Sequence, residues 1–509
     1  EQKLSFRKIR SRKRKLKTLK NRKMNTELTK LYPQKMWECF ANICDIPHPS
    51  KHEEKILAWL KNWAKENKID FEQDETGNLL FRKPATPGME NRIPIILQGH
   101  IDMVPQANSD VKHDFLKDPI KPVIDNGWVH ATGTTLGADN GMGCAAAMAV
   151  LLSKDIAHGP VEVLVTVDEE TGMTGAFGLK PGMVKGKILM NLDSETEGEL
   201  YVGCAGGLDA TFELPYRLVD TPETHIAYQI AITGLKGGHS GMDIILGRAN
   251  ANKVMIRLLR KLATKFGAQI ADIKGGSLRN AIPREAFVTV TFNATREKRF
   301  LAYINEFADF VKKEFSATEP TFSIECSKVD TPAKVMDRNS RNKAINMVLA
   351  IPNGVMRMSD SMPNLVETSN NLAVVKTDGE KVIVLNLMRS SVESAKDALA
   401  DKMCAIAEMA GAKIELTGGY PGWKPNLEST IFKTMSKVYR EKFGKKPKVM
   451  AIHAGLECGL FGTCYPEWEM ISFGPTILYP HSPDEKVNID SVGKFWDFLV
   501  ETLKNIPAE

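Results

Sequence analysis

The sequence predicts an α/β protein with a mostly parallel central sheet, and two patterns in its first 206 residues indicate this fold class. Short apolar runs rich in β-branched residues occur at 93–97, 161–167 and 188–192, and helical segments separate them. Strands that are buried on both faces read as continuous apolar runs of this kind. Regular alternation of strands and helices then predicts a sheet that helices cover on both faces.

Two helices of this first region have recognisable sequence signals. Ser50-Lys51-His52-Glu53 has the pattern of a capping box, which opens a helix. Ile56, Leu60 and Trp63 follow at helical spacing and predict one apolar face. Residues 141–152 are mostly small, which is typical of a helix that packs closely on a sheet.

After Gly206 the pattern changes to that of an α+β region. The strand-like runs are 225–233, 286–293, 372–376, 381–387 and 413–416, and the helical runs are 247–266 and 392–410. Asp378-Gly379 lies between two of these runs and is a strong hairpin signal. Residues 418–422, which are rich in glycine, predict a hinge, and the C-terminal stretch returns to α/β character.

Composition and charge exclude several classes of protein. The 509 residues are 43% hydrophobic and 26% charged, which is typical of a folded globular chain. The longest apolar run, at 143–152, is about half of the ~20 residues that a membrane span needs. Eight cysteines without a CxxC pair indicate reduced thiols and a cytoplasmic location. No GxxxxGK[ST] phosphate loop occurs.

The net charge of +6 is uneven along the chain. Residues 1–23 carry 12 Lys and Arg against Glu1, so this tail has a net charge of +11 and the remainder has −5. The tail is interpreted as a cloning scar or translated upstream sequence, because Met24-Asn25-Thr26-Glu27 reads like a natural start. A nucleic-acid or membrane arm and a transit peptide are the alternatives. The acidic body predicts no nucleic-acid partner, and the lack of an apolar run long enough to span a bilayer predicts no membrane.

Four polar clusters stand where predicted strands end or a helix begins. They are Gln98-Gly99-His100-Ile101-Asp102, Gly137-Ala138-Asp139-Asn140-Gly141, Asp168-Glu169-Glu170 and Asp193. In open α/β sheets, ligands bind beyond the carboxyl ends of the strands, so the clusters should converge there.

The residue types in these clusters suit a site for divalent metal ions. Histidine and carboxylate are zinc ligands, and one carboxylate can bridge two metals that activate a water. A further carboxylate must accept the proton of that water. Glu169-Glu170 offers one residue for each task, because neighbouring strand-end residues point in opposite directions. A structural or non-metal α/β protein, with these residues as caps and turns, remains the alternative.

At these motifs the chain resembles the co-catalytic zinc peptidases related to aminoacylase and carboxypeptidase G, and among them the bacterial dipeptidases that cleave Xaa-His dipeptides. The resemblance extends from about Leu28 to the C-terminus and leaves out the basic tail. Further matching motifs are Gly237-Gly238-His239-Ser240-Gly241, Arg279-Asn280-Ala281-Ile282-Pro283-Arg284, His453-Ala454-Gly455-Leu456-Glu457-Cys458-Gly459 and Pro480-His481-Ser482-Pro483.

The resemblance implies a role for each residue of a two-zinc site, with Co²⁺ or Mn²⁺ as substitutes. His100 and Asp193 would hold one zinc, Glu170 and His481 would hold the other, and Asp139 would bridge them. Asp102 would orient His100. Glu169 would be the general base and then the acid for the leaving amine. In relatives the Asp139–Asn140 peptide bond is cis.

The resemblance also implies a lid domain inserted into a zinc-peptidase catalytic domain. The expected boundaries are a tail at 1–23, a catalytic domain at 24–206 and 424–509, and a lid at 207–423. His239 would stabilise the oxyanion. The residues expected to bind substrate are Asn280, Arg389, His453, Gly455 and Glu457. The alternatives are a loop histidine for His239, a solvated or ion-paired surface residue for Arg389 and structural pairing for Glu457.

The predicted function is hydrolysis of unblocked dipeptides, including Xaa-His dipeptides such as carnosine. Small peptides are therefore the expected partners, and a homodimer is an open expectation. A related deacylase or aminopeptidase with the same site is the nearest alternative. An inactive binding protein and a nucleic-acid binder that acts through its tail are alternatives from other classes.

Overall fold

The computed structural model describes residues 27–509, and the predictions for the basic tail and for a start at Met24 lie outside them. None of the helices in this part of the chain has the length and apolar character needed to cross a membrane. The chain divides into two compact units. Unit 1 comprises residues 27–202, Asn426–Met450 and Leu460–Glu509, and unit 2 comprises Gly203–Pro425 and Ala451–Gly459. The segment Ala451–Gly459 therefore belongs to unit 2, whereas the boundaries predicted from the sequence place it in the second part of the catalytic domain.

The regular elements are numbered in chain order. The strands are β1 (Asp70–Gln73), β2 (Leu79–Lys83), β3 (Ile95–His100), β4 (Pro122–Asp125), β5 (Trp128–Ala131), β6 (Val161–Thr166), β7 (Ile188–Asn191), β8 (Glu199–Cys204), β9 (Gly206–Pro215), β10 (Leu218–Asp220), β11 (His225–Thr233), β12 (Gly238–His239), β13 (Gln269–Gly275), β14 (Ala281–Ile282), β15 (Ala286–Asn293), β16 (Ser323–Val329), β17 (Lys334–Met336), β18 (Gly354–Met358), β19 (Val366–Asp378), β20 (Lys381–Ser390), β21 (Lys413–Tyr420), β22 (Lys448–Ile452), β23 (Glu469–Ser472), β24 (Ile477–Leu478) and β25 (Lys486–Asn488). The helices are α1 (Gln34–Cys44), α2 (Glu54–Glu66), α3 (Ala138–Leu152), α4 (Glu169–Gly172), α5 (Thr174–Gly178), α6 (Ala251–Phe266), α7 (Glu297–Glu314), α8 (Arg338–Ala350), α9 (Glu393–Ala410), α10 (Thr430–Phe443), α11 (Glu457–Cys464) and α12 (Ile489–Asn505).

Unit 1 is built on an eight-stranded sheet with the order β1-β2-β6-β3-β7-β23-β8-β22. Its four central strands, β6, β3, β7 and β23, run parallel, and β1, β2 and β8 pair antiparallel. The predicted α/β class with a mostly parallel central sheet is confirmed. β3, β6 and β7 are buried along their whole length, which explains their continuous apolar sequences.

The small-residue helix of unit 1 is α3, and it packs closely on the sheet as predicted. Gly143 shows why small residues are required there. A Cβ atom at this position would lie 2.4 Å from the backbone oxygen of Leu192, just after β7. The close approach places the start of α3 beside the carboxyl ends of the parallel strands.

Unit 2 is an α+β body around a nine-stranded sheet with the order β16-β11-β15-β13-β19-β20-β9-β21, and β18 pairs with β19. Its strand pairs are antiparallel. α6 packs on β15, and α9 packs on β20 and β9. The predicted hairpin at Asp378-Gly379 is confirmed by the pairing of Asp378 with Lys381. The predicted hinge begins within a strand, because β21 continues to Tyr420.

Two local predictions near the sheet of unit 1 are wrong. The capping box does not form, because Glu53 precedes α2 without a side-chain cap and Ser50 donates instead to Asp102. β3 extends to His100, whereas the prediction ended the strand at residue 97. The strand is longer because the pairing of β3 with β6 continues up to His100 and Thr166.

Candidate active site

The parallel strands of unit 1 bring the predicted polar clusters to one edge of the sheet. His100 is the last residue of β3, Glu170 follows β6 by four residues, and Asp193 follows β7 by two. Asp139 lies in the first turn of α3, and its peptide bond to Asn140 is cis, as predicted. The convergence follows directly from the parallel arrangement, in which carboxyl ends share an edge.

His100, Asp139 and Asp193 form the first group of facing ligand atoms. Nε2 of His100 lies 3.2 Å from Oδ1 of Asp139 and 3.3 Å from Oδ1 of Asp193. His100 is buried and the two carboxylates are nearly so. One imidazole and two carboxylates suit a divalent ion such as zinc.

Asp139, Glu170 and His481 form the second group. Nε2 of His481 lies 3.1 Å from Oδ2 of Asp139 and 3.0 Å from Oε2 of Glu170. Each oxygen of Asp139 therefore faces a different histidine, which is the arrangement of a carboxylate that bridges two ions. His481 lies in the loop between β24 and β25 with a left-handed φ of 59°, a conformation that the surrounding structure must hold.

The electrostatics of this cluster favour cations. Burial lowers the pKa of His100, but the charge of Asp193 and hydrogen bonds to nearby carboxylates raise it well above its usual range. Hydrogen bonds to Asp139 and Glu170 raise the pKa of His481 to about 11. Oε1 of Glu170 is buried without a hydrogen-bond partner among the described residues. These ligand atoms therefore fit divalent metal ions, which would bind this oxygen of Glu170 and neutralise the negative charge of the cluster.

Asp102 forms hydrogen bonds that hold several residues of the cluster in place. Its side chain accepts hydrogen bonds from Oγ of Ser50 (2.8 Å) and from the backbone N–H groups of Glu169 (3.0 Å) and Glu170 (3.3 Å). Burial raises the pKa of Asp102, yet the hydrogen bond and charge of His100 lower it to about 2. Nδ1 of His100 lies 3.1 Å from the backbone oxygen of Asp102 and 3.4 Å from its carboxylate, so both groups of this residue can orient the ring.

Glu169 lies beside the metal-ligand groups, but not by strand alternation. β6 ends at Thr166, Asp168 has a left-handed φ of 53°, and Glu169-Glu170 open the one-turn helix α4. The argument from opposite faces of a strand is therefore wrong. A carboxylate oxygen of Glu169 still lies within 4.8 Å of the ligand atoms of His100 and Glu170. This position suits a base that acts on a water held at the cluster.

The hydrogen bonds of His239, in unit 2, indicate a neutral ring that can donate a hydrogen bond. Its Nδ1 accepts from the backbone N–H groups of Gly241 (3.2 Å) and Met242 (3.1 Å), so the ring proton belongs on Nε2. Burial and the charge of Arg389 lower the pKa of His239. Gly238 has φ 133°, and a Cβ there would lie 2.5 Å from Oδ2 of Asp243, so the motif requires glycine.

Asn280 is exposed and lies next to His239 through the β12–β14 pair, in which Ala281 opposes His239. The backbone N–H of Ser240 donates to the oxygen of Asn280 at 2.8 Å. Nδ2 of Asn371 donates to the backbone oxygens on both sides of Asn280, at 2.9 and 2.8 Å. These contacts fix the backbone that presents the Asn280 side chain.

Arg389 and His453 lie close together in unit 2. Arg389 is only 5% exposed, which excludes the solvated-surface interpretation, and its Nη1 donates to the hydroxyl of Tyr420 at 2.9 Å. Its Nε is buried without a hydrogen-bond partner in the described part of the chain. Ser369, which pairs with Arg389 across β19 and β20, holds Nε2 of His453 at 2.8 Å. Burial and the charge of Arg389 lower the pKa of His453 to about 3.

Gly455 and Glu457 continue the chain from His453. Gly455 is half-buried, and Glu457 is 1% exposed at the first position of α11. The structure thus groups the seven predicted residues of unit 1 in one cluster. In unit 2 it groups His239 with Asn280, and Arg389 lies near both His239 and His453.

Sequence patterns do not reveal the roles of several residues near the site. Ser50 was interpreted as a helix cap, and Tyr420 as part of a hinge. Glu195, two residues after Asp193, is assigned no role by the sequence patterns. Burial and the charges of Asp139 and Asp193 raise the pKa of Glu195 to about 8, which places its carboxyl group at the cluster. Such contacts join residues distant in the chain, so pattern and periodicity do not reveal them.

Comparison with known proteins supports the resemblance read from the motifs. The model of peptidase family M20/M25/M40 matches residues 96–505. The cytosol non-specific dipeptidase of Escherichia coli (strain K12) is 47% identical over 484 residues, which cover 95% of this chain and 100% of that protein. The crystal structure of aminoacylhistidine dipeptidase from Vibrio alginolyticus is 50% identical, with a TM-score of 0.92 and coverage of 95% and 98%. A tripeptidase from Staphylococcus aureus, at 16% identity and a TM-score of 0.54 over 94% and 99%, shares the fold.

Proposed function

The chain belongs to peptidase family M20/M25/M40, whose metallopeptidases depend on metal ions, and we propose that it hydrolyses unblocked dipeptides, Xaa-His dipeptides such as carnosine among them. One observation carries this proposal. Two groups of ligand atoms share Asp139, and Glu169 lies beside them. This arrangement matches what co-catalytic hydrolysis of a peptide bond requires.

The substrate class rests on two similar proteins that this chain covers almost completely. One is named a cytosol non-specific dipeptidase and the other an aminoacylhistidine dipeptidase. Both names describe cleavage of dipeptides, and the first supports a cytoplasmic location for this chain. A homodimer remains an expectation from the sequence.

The proposed cofactor is a pair of Zn²⁺ ions, with Co²⁺ or Mn²⁺ as substitutes. His100 and Asp193 would hold one ion, Glu170 and His481 the other, and Asp139 both. When bound, the ions would activate a water and polarise the scissile carbonyl group.

The protein residues supply the proton transfers and the hydrogen bonds. Glu169 accepts the proton of the attacking water and then donates it to the departing amine. Asp102 holds the ring of His100 in one orientation. His239 donates from Nε2 to the oxyanion that develops on the substrate.

Unit 2 supplies groups suited to the ends of a small peptide. Arg389 and Asn280 would bind the C-terminal carboxylate, since the planar guanidinium fits a carboxylate in a bidentate manner. The Nε of Arg389 supports this role, because it has no hydrogen-bond partner within residues 27–509. His453 and Gly455 would line the same region, and Glu457 would bind the free amine.

A substrate panel tests the proposal directly. The full chain, with measured Zn²⁺ content, is incubated with dipeptides, tripeptides and N-acetyl amino acids, and product is quantified. We expect turnover of dipeptides, including Xaa-His dipeptides, well above that of the other two classes. Preference for N-acetyl amino acids would indicate a deacylase, and preference for tripeptides an aminopeptidase. No cleavage at full metal content would refute the enzyme assignment.

A further inference from the structure

Glu485 is a buried carboxylate that has no cationic partner among the described residues. Its side chain is 2% exposed, at the end of the loop between β24 and β25. It forms none of the ion pairs found among residues 27–509. Burial of an unpaired carboxylate is costly unless hydrogen bonds compensate it. Its contacts therefore indicate what it stabilises.

Four consecutive backbone N–H groups donate to Glu485. Oε2 accepts from Leu136 (2.7 Å) and Gly137 (3.1 Å), and Oε1 accepts from Ala138 (2.7 Å) and Asp139 (3.3 Å). These N–H groups lie at the start of α3, where a helix leaves its first donors without internal partners. Hydrogen bonds to an ionised acceptor are the stronger kind, so this carboxylate holds the whole turn.

Contacts within the loop between β24 and β25 also fix the position of Glu485. The backbone N–H of Glu485 donates to the oxygen of Ser482 at 3.0 Å, and Oγ of Ser482 donates to the oxygen of Tyr479 at 2.8 Å. His481 lies inside this turn with its left-handed φ. On the other side, Lys486 pairs with Leu478 and His130 in the four-stranded sheet of unit 1.

One side chain thus joins the two backbone segments that carry Asp139 and His481, whose side chains meet at 3.1 Å. We infer that Glu485 is a positioning residue that sets the separation of these two ligands and so the metal affinity of the site. Glu485 is itself no ligand, because both of its oxygens are occupied by backbone donors. The inference rests on the proposed metal site but not on the identity of the substrate.

Charge and length both matter in this arrangement. Glutamine in place of Glu485 would turn one amide N–H₂ toward two backbone donors, so two of the four hydrogen bonds would be lost. Aspartate keeps the charge but is one methylene shorter, so it cannot reach all four donors. Loss of such supporting contacts costs about 10–100-fold in metal affinity in other proteins.

Metal titration of Glu485→Gln and Glu485→Asp tests the inference. Metal-stripped full chains are titrated with Co²⁺, followed by the d–d absorption spectrum, and with Zn²⁺ in competition with a chromophoric chelator. Glu162→Gln is the matched control, because Glu162 is also a buried carboxylate that accepts two backbone N–H groups, from Lys185 and Gly186, both at 2.7 Å. It lies near the start of β6, at the opposite end of that strand from the site.

We expect Glu485→Gln to weaken binding of at least one ion by about 10-fold or more and to alter the Co²⁺ spectrum. Glu162→Gln should lose stability but keep the wild-type affinity and spectrum. A folded Glu485→Gln protein that binds both ions like the control would overturn the inference. If that variant does not fold, Glu485→Asp decides, since wild-type affinity there would overturn it equally. Because no substrate is used, failure of the dipeptidase proposal would leave this result interpretable.

Discussion

The predicted site histidines of the two units respond to their surroundings in opposite ways. In unit 1, carboxylates raise the pKa of His100 and of His481. In unit 2, burial and the charge of Arg389 lower the pKa of His239 and of His453. The same side chain is thus placed in a negative field at one site and in a buried, positive field at the other.

This difference separates two kinds of chemistry. The negative field in unit 1 attracts metal ions. His and carboxylate side chains then coordinate the ion together, in place of water. A buried histidine beside an arginine stays neutral, so it donates from one nitrogen without attracting a cation. Unit 1 is therefore suited to holding metal and unit 2 to contacting anionic groups of a substrate. Substitutions that affect one chemistry without the other test this division.

Substitutions of Glu169 and Glu170, two neighbouring carboxylates of unit 1, should have the most different effects on turnover and on metal content. Glu169→Gln removes the proposed base, so kcat for a dipeptide should fall by ~10²–10⁴-fold or more while metal content stays at the wild-type level. Glu170→Gln should instead reduce metal content, because Glu170 faces His481 at 3.0 Å. Turnover assays with metal analysis of each purified variant give both readouts. A near-normal rate for Glu169→Gln would refute its assignment as the base.

His100 and His239 should separate metal binding from oxyanion stabilisation. His100→Ala should lower metal affinity, since Nε2 of His100 faces two carboxylates. His239→Ala should keep that affinity and lower kcat by ~10²–10³-fold, as loss of one oxyanion donor does. Metal titration and steady-state kinetics on both variants measure the contrast. Loss of metal from His239→Ala would contradict the division between the two units.

Much of unit 1 could be predicted from the sequence because its signals are local. Continuous apolar runs mark the parallel strands; His100, Glu170 and Asp193 stand at or just after their ends, and Asp139 stands at the start of α3. His481 could not be singled out among ten histidines without the resemblance, because it lies in a loop far along the chain.

The wrong prediction of a capping box has a physical cause in long-range hydrogen bonds. Ser50 and Glu53 match a capping box, yet Ser50 donates to Asp102 and Glu53 accepts from the backbone of Asp168. These long-range hydrogen bonds therefore replace the reciprocal pair of cap hydrogen bonds that the motif predicts. Glu485 gave no local signal at all, since its four donors lie about 350 residues earlier in the sequence.

Arg389 should affect substrate binding more than catalysis. Arg389→Lys keeps the charge but loses the bidentate fork, so KM for a dipeptide should rise by about 10-fold, equivalent to ~1.4 kcal/mol, with a smaller change in kcat. A dipeptide with an amidated C-terminus is the control substrate, because it lacks the carboxylate. Equal effects of the substitution on both substrates would assign Arg389 a structural role only.

The last expected effect concerns stability rather than turnover, and it tests the field in unit 2 without any substrate. Burial, aided by the charge of Arg389, lowers the pKa of His453 to about 3, whereas an unfolded histidine titrates near ~6.5. As pH falls below ~6.5 the unfolded chain binds a proton that the folded chain does not, so the folded state loses stability until the pH reaches about 3. Between pH 6.5 and pH 5 this loss is roughly 2 kcal/mol.

His453→Asn removes this pH-dependent loss. The free energy of unfolding, measured with denaturant, should therefore fall less steeply with decreasing pH for this variant than for the wild type. His52→Asn, at an exposed position, is the matched control. Parallel curves for wild type and His453→Asn would mean that unit 2 does not hold this histidine neutral, and the contrast between the two units would fail at that residue.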